Sequence, residues 1–391
     1  MNTILFLLYS LLPGLSKIMG NQLPFILNIP ILIALFLTNQ KKISWRSIDN
    51  YILLFIIYGI FISFISLAFL PSDSVTLFMG IYMYLIPVCG YFFAYLIDFD
   101  EMVKTLKVVA LAHVFFAILI YPLTPLYPYI TGYAQIFRKG VFGERMCSVS
   151  GSLGFASLML ICFTTFFFNS KSIKDTIILL LVTIGLIFAQ QRGAWLGGIT
   201  VIFLDFLEKI KTGHLKIKQT TIVRGLVILV LGGILVGAGV FKVESLTERY
   251  KNQLGKEAVD ERQSQWSAGI ENMINFPLGT GVGQVGQVAR VGGWSVFKAC
   301  ADGDYPRIFS ETGVPGLLFY VFLFVTSGLL FFYSRLDIKA VKTGLFVFIG
   351  ISMQMIGSNV TEFYFVNFLY WMFVGYMVSD IRTQKSKMII V

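Results

Sequence analysis

The chain has 391 residues, of which 56% are hydrophobic, 16% aromatic and only 13% charged. One soluble core cannot hide that much apolar surface, so a soluble globular domain is excluded. The formal net charge of +10 would suggest nucleic acid in a soluble protein. Here it fits loops that hold a membrane protein in one orientation.

The apolar residues come in blocks long enough to cross a hydrocarbon layer about 30 Å thick. In chain order the blocks are 2–19, 23–38, 51–70, 76–97, 106–122, 150–168, 176–189, 193–207, 225–241, 314–333, 343–357 and 363–379. This pattern predicts an all-α, polytopic integral membrane protein with about twelve transmembrane helices, forming a single transmembrane helical domain over 1–391. The first block carries Lys17 at its far end and lacks a small-residue cleavage site, so it reads as a retained helix.

Sidedness follows from Lys and Arg, which collect in cytoplasmic loops. Alternate gaps carry Lys41, Lys42 and Arg46; Lys104 and Lys107; Lys171 and Lys174; Lys209, Lys211, Lys216, Lys218 and Arg224; Arg335, Lys339 and Lys342. The tail adds Arg382, Lys385 and Lys387. Both termini are then cytoplasmic. Residues 176–207 decide the parity, because a single helix of that length would measure about 48 Å. Two short spans turning at Gln190–Gly193 solve this.

Two segments fall outside the membrane on the opposite face. One is 123–149, with Pro125, Tyr127, Pro128 and Tyr129. The other is a large extracytoplasmic loop over 242–313, with a helix-like stretch from Asp260 to Ile274. A loop of that length is usually functional. No internal repeat is visible, so the repeat signature of many transporters is missing. Cys147 and Cys300 fall in these two segments, where the compartment allows a disulfide. Pairing and free thiols both remain open.

Arg192 is the sharpest single residue. It stands at the turn between two short spans, where a guanidinium is costly unless it meets water or an anion. A snorkelling helix-end arginine is one reading. A two-pronged phosphate clamp is the other. Arg138, Lys139 and Arg145 form a second outer basic group. Arg249, Arg262, Arg290 and Arg307 are spread through the long loop, where ordinary ion pairing competes with a convergent site. Asp302, Asp304 and Glu311 precede the tenth block; negative charge near a helix N-terminus explains them, and so does a base for a sugar hydroxyl. Gly281-Val-Gly283-Gln-Val-Gly286 spells a dinucleotide fingerprint, but it opens no βαβ unit and reads as a flexible turn. His113 and His214 read as structural or incidental. Two histidines and unclustered cysteines indicate no transition-metal site.

Three segments resemble the superfamily of O-antigen polymerases (Wzy-type) and O-antigen ligases. Gln191-Arg192-Gly193-Ala194-Trp195-Leu196-Gly197 is similar to its S-R-G-A-x-L element. Arg262 to Trp266, followed by Pro277-Leu-Gly279-Thr-Gly281, is similar to its R-x-x-x-W and P-L-x-G-x-G elements. Asp302-Gly-Asp304-Tyr305-Pro-Arg307 and Glu311-Thr-Gly313-Val-Pro-Gly316 resemble the element before its last three helices. Ligases of this superfamily carry a His where this chain has Asp302. Polymerases more often read D-x-x-Y-x-R there, which Asp302, Tyr305 and Arg307 match.

The resemblance implies a glycosyltransferase of the bacterial inner membrane that joins repeat units carried on undecaprenyl diphosphate, for O-antigen or capsule. It implies Arg192 and Arg262 on the leaving diphosphate and Asp302 at the acceptor hydroxyl, with Glu311 or Asp304 in reserve. Arg138, Arg145, Asp304, Tyr305, Arg307 and Arg290 are its candidate substrate contacts. No cofactor is implied; a chain-length regulator and a flippase are candidate partners. An O-antigen ligase and a lipid-linked sugar transporter are the competing readings. A purely structural subunit would explain neither Arg192 nor the loop.

Overall fold

The computed structural model describes residues 3–19, 26–38, 45–120, 139–140, 143–144, 146–213, 256–286, 288–289, 297, 303–333, 336 and 338–379. These form helices α1 (Thr3–Met19), α2 (Asn28–Thr38), α3 (Ser47–Phe69), α4 (Ser74–Phe93), α5 (Phe99–Ile120), α6 (Gly151–Asn169), α7 (Ile173–Phe188) and α8 (Arg192–Lys211). They continue with α9 (Lys256–Asn275), α10 (Asp304–Tyr333), α11 (Lys339–Met355) and α12 (Tyr364–Val378). A two-residue ladder pairs Lys139–Gly140 with Gly143–Glu144. Every apolar block among the described residues coincides with a helix; the block at 225–241 lies outside them. Among the described residues, five helices (α3, α4, α5, α6 and α10) are long and apolar enough to cross a membrane. The chain is thus a multi-pass helical membrane protein. The expected hairpin is present: α7 and α8 are joined by a tight turn in which Gln190 takes φ 52°.

Helices α6 and α12 lie at the centre. Every residue of α12 is buried, whereas α3 presents Leu54, Ile57, Phe61 and Phe64 outward. An apolar surface turned outward suits lipid, and packing in lipid rests on close approach at small residues. Gly197 of α8 lies against the Gly350 backbone of α11. Gly344 of α11 meets Phe373 and Met377 of α12, and Gly375 of α12 meets Tyr91 of α4. A Cβ at any of these would strike backbone.

Helix α4 is irregular, passing through a π turn at Ile81–Leu85 and a 3₁₀ turn at Ile86–Cys89. Pro87 has no N–H to give the Met83 carbonyl. The Asn367 side chain of α12 donates to that carbonyl instead, at 3.2 Å. The widened turn carries Tyr84 inward.

Helix α10 breaks at Gly313, which takes φ 63° and ψ −155°. Pro315 cannot donate to the Glu311 carbonyl, and Val314 N–H turns away to the Pro277 carbonyl at 2.8 Å. The two carbonyls so released are taken by the loop after α9. Thr280 N–H donates to the Ser310 carbonyl at 2.9 Å and Gly281 N–H to the Glu311 carbonyl at 3.1 Å. A first helical stretch thus begins at Asp304, and Glu311 lies at its end, two residues before Gly313, where the second stretch starts. The Gly281–Gly286 segment is a turn, but a buried one: Val282 N–H donates to Ser63 Oγ at 3.0 Å, and Gly283 lies against Thr76 and Gly80. It is packed between α3, α4 and α10, not flexible.

At the other end of the bundle, Lys107 of α5 pairs with Asp175 of α7, and Lys342 of α11 bridges Asp205 and Glu208 of α8. The Lys107 hydrogen bond holds the Asp175 carboxyl well below the ordinary carboxylate range. A depressed folded-state value means stability that is full above that range and lost as pH falls through it. Acidification below about pH 4 should therefore lower the unfolding midpoint in detergent, and Asp175→Asn should flatten that loss. Gly313→Ala should cost roughly 2 kcal/mol or more, through positive φ and overlap with the Pro277 carbonyl. Gly328→Ala, in open space on the same helix, should leave the midpoint unchanged or raised.

Candidate active site

Ahead of the break, the first turns of α10 set Asp304, Arg307 and Glu311 on one face, three and four residues apart. Arg307 is 2% exposed. Its Nη1 donates to Glu311 Oε2 at 2.6 Å, and its Nη2 donates to Asp304 Oδ1 at 3.2 Å and to Thr361 Oγ1 at 2.6 Å. The guanidinium lies over the Tyr84 ring, 3.7 Å from its centroid. Asp304 also gathers the loop between α11 and α12: Val360 N–H and Thr361 N–H donate to Oδ2 at 2.6 and 2.9 Å, and the Thr361 hydroxyl to Oδ1 at 2.5 Å. One arginine between two carboxylates thus ties α4, α10 and the α11–α12 loop together.

Beside this cluster is a small cavity whose polar lining is Tyr84, Arg307, Glu311, Thr361 and Asn367, with Phe55, Leu85, Val282 and Trp371 on its apolar side. Arg307 Nε and Asn367 Oδ1 are buried there without a hydrogen-bond partner. The amides of Gly283 and Val285 face the Glu311 carboxylate from the glycine loop.

The same end of the bundle holds the other family motifs. Gly193 sits against Ser358 and Gln354, Gly303 against the Ile356 carbonyl, and Gly269 of α9 against Pro306. The α7–α8 turn, α9, the start of α10 and the α11–α12 loop therefore meet. Arg192, the first residue of α8, is exposed here. Asp73 N-caps α4 at this end, with its carboxyl held below the usual range by the Thr76 hydroxyl. Gln284 clasps the Asp73 backbone.

Of the residues expected at a site, Asp304, Tyr305, Arg307 and Glu311 are brought together. Tyr305 donates to the Ser352 carbonyl at 3.0 Å and stacks on Phe309. Arg262 belongs to α9, with its side chain outside the description. Arg138, Arg145, Arg290 and Asp302 lie outside the described residues, as do Cys300 and His214. His113 is buried between Ser148 and Ser10, at 2.9 and 3.3 Å, and clasps α1 to α5. Among the described residues no three His, Cys, Asp or Glu side chains gather as around a metal.

Sequence reasoning missed three residues. Tyr84 stacks on Arg307, Thr361 bridges Asp304 and Arg307, and Glu362 accepts from Tyr84 Oη at 3.3 Å and from Asn359 Nδ2 at 3.1 Å. The signal was a polar run, Ser358-Asn359-Val360-Thr361-Glu362, set between two apolar blocks. Arg307→Ala should leave two buried carboxylates uncompensated and cost about 3–5 kcal/mol. Purified Arg307→Ala should therefore show a strongly lowered unfolding midpoint in detergent, whereas Arg192→Ala, at an exposed position, should keep the wild-type midpoint within a few degrees.

Residues 177–321 match the family model described as O-antigen ligase, Wzy_C. No curated protein matches the chain. The matched region holds Arg192, Arg262, Asp302, Arg307 and Glu311, while Tyr84, Thr361 and Glu362 come from outside it. From α7 into α10, this chain therefore matches the O-antigen ligase family model, which is consistent with the O-antigen polymerase and ligase superfamily.

Proposed function

We propose that the protein is a polysaccharide polymerase acting on the extracytoplasmic face of a bacterial inner membrane. Its donor is a glycan chain on undecaprenyl diphosphate, and its acceptor is one repeat unit on the same lipid. An acceptor hydroxyl attacks the anomeric carbon, the chain grows by one unit, and undecaprenyl diphosphate leaves. About twelve spans with both termini cytoplasmic, and 123–149 and 242–313 outside, would put the motifs on that face.

The observation that carries this reading is that the start of α8 and the start of α10 both pack on the α11–α12 loop, with α9 against the start of α10, so the motif segments of the matched region gather around one loop. Arg192 starts α8, so its guanidinium and the first-turn amides offer positive charge together, the ordinary requirement for holding phosphate. Arg192 and Arg262 stabilise the charge that grows on the departing diphosphate. Arg138, Arg145 and Arg290 hold the acceptor lipid's diphosphate. Asp302 orients or deprotonates the acceptor hydroxyl, while Tyr305, buried with its hydroxyl on the Ser352 carbonyl, belongs to the supporting frame. Asp304, Arg307 and Glu311 contribute through the frame they build, because their buried ion pairs close them off from a glycan as large as a repeat unit.

Polymerase is favoured over ligase by Asp302 where ligases carry His, with Tyr305 and Arg307 in register. An O-antigen ligase, moving the glycan to a different acceptor, is the second reading, and the description of the matched family supports it. A chain-length regulator and a flippase are the partners a polymerase would need.

Electrophoresis of cell-surface glycan tests this. Arg192→Ala should collapse a ladder of chains to material carrying a single unit. Loss of all glycan, the single unit included, would indicate the ligase; an unchanged ladder would remove Arg192 from the mechanism. Asp302→Asn with full ladder intensity would exclude Asp302 as the base.

A further inference from the structure

The acidic residues described at this end of the bundle differ in availability. Asp304 and Glu311 are buried against Arg307. Asp73 caps α4 through Thr76, and Glu271 is exposed on α9. Glu362 is half-buried at the mouth of the cluster, in the loop between α11 and α12. Its Oε1 is held by two neutral donors, Tyr84 Oη and Asn359 Nδ2. The same short loop carries Ser358, against which Gly193 packs, so Glu362 stands four residues from the contact that seats Arg192.

Resting on the glycosyl-transfer reading above, we propose that Glu362 is the catalytic carboxylate that takes the proton from the acceptor hydroxyl. The acceptor O–H bond breaks as its oxygen bonds to the donor's anomeric carbon. The bond from that carbon to the diphosphate oxygen breaks, and its electron pair leaves on undecaprenyl diphosphate. Glu362 holds the proton and releases it to water. Asp302 is then left the orienting part.

The surroundings suit a base. Glu362 faces Tyr84 from α4, the Asp304, Arg307 and Glu311 cluster from α10, and Asn359 from its own loop. Tyr84 is held on the π turn of α4 and Asn359 two residues before Thr361, so the carboxylate is oriented by the same frame that fixes Arg307.

The test uses the full chain reconstituted in lipid nanodiscs with undecaprenyl-diphosphate-linked repeat units. Glu362→Gln should lower turnover by about 100-fold or more, with binding of the lipid-linked unit within about 3-fold of wild type. Tyr84→Phe, which keeps the ring under Arg307, should move the acidic limb of the pH–rate profile up by about half a unit or more. Turnover of Glu362→Gln within about 3-fold of wild type overturns the proposal and leaves the polymerase reading standing. Full activity of Glu362→Gln beside an inactive Asp302→Asn gives the proton to Asp302 and also overturns it. Wild type that releases no undecaprenyl diphosphate overturns both. Should Glu362→Gln fail to fold, the Tyr84→Phe profile decides, and an unmoved limb overturns the proposal.

Discussion

A single buried arginine governs this end of the molecule. Arg307 carries its charge into a helical bundle where an unpaired guanidinium would be prohibitive. Asp304 and Glu311 compensate it, Thr361 receives one of its hydrogens, and Tyr84 lies under its face. Each partner belongs to a different turn or helix, so satisfying the charge also fixes their mutual positions. Fully bonded, such a network specifies one arrangement; with one member removed, it leaves buried charge behind.

The break in α10 packs the loop after α9 beside this network. A continuous helix would consume the Ser310 and Glu311 carbonyls internally. Gly313 and Pro315 release them, and the loop after α9 takes both. Glycines at 279, 281 and 283 adopt positive φ to bring that loop in, and they lie so close to α10, α3 and α4 that side chains would not fit. The family motifs P-L-x-G-x-G and E-x-G-x-x-G are therefore two halves of one joint. The exposed Arg192 stands beside that joint's other wall, the α11–α12 loop, so the frame holds the start of α8 in place.

Much of the fold was legible because burial in lipid demands long apolar runs, and these stand out in a chain this hydrophobic. The α7–α8 hairpin followed from length and from the basic gap that comes after it, and the helix-like stretch from Asp260 to Ile274 falls within α9. Less was legible at the site. Arg192, Arg307 and Glu311 could be picked out as charges in unusual places. Their partners could not: Tyr84 and Thr361 lie more than 50 residues from Arg307 in sequence, and no local period marks such a contact. The exchange of hydrogen bonds at Gly313 is equally non-local. A glycine and a proline two residues apart suggest a break, but not what fills it. Glu362 was hidden because a short polar gap between two apolar blocks looks like an ordinary turn.

The central claim is that arginines at the outer mouth of the bundle receive a diphosphate as a glycan leaves it. Its most direct measurement is mass spectrometry of products from the purified wild-type chain given only undecaprenyl-diphosphate-linked single repeat units. The account predicts glycans of two or more units still on lipid, with free undecaprenyl diphosphate formed in equal amount to the new glycosidic bonds. Single units recovered intact, with no diphosphate lipid released, would contradict it.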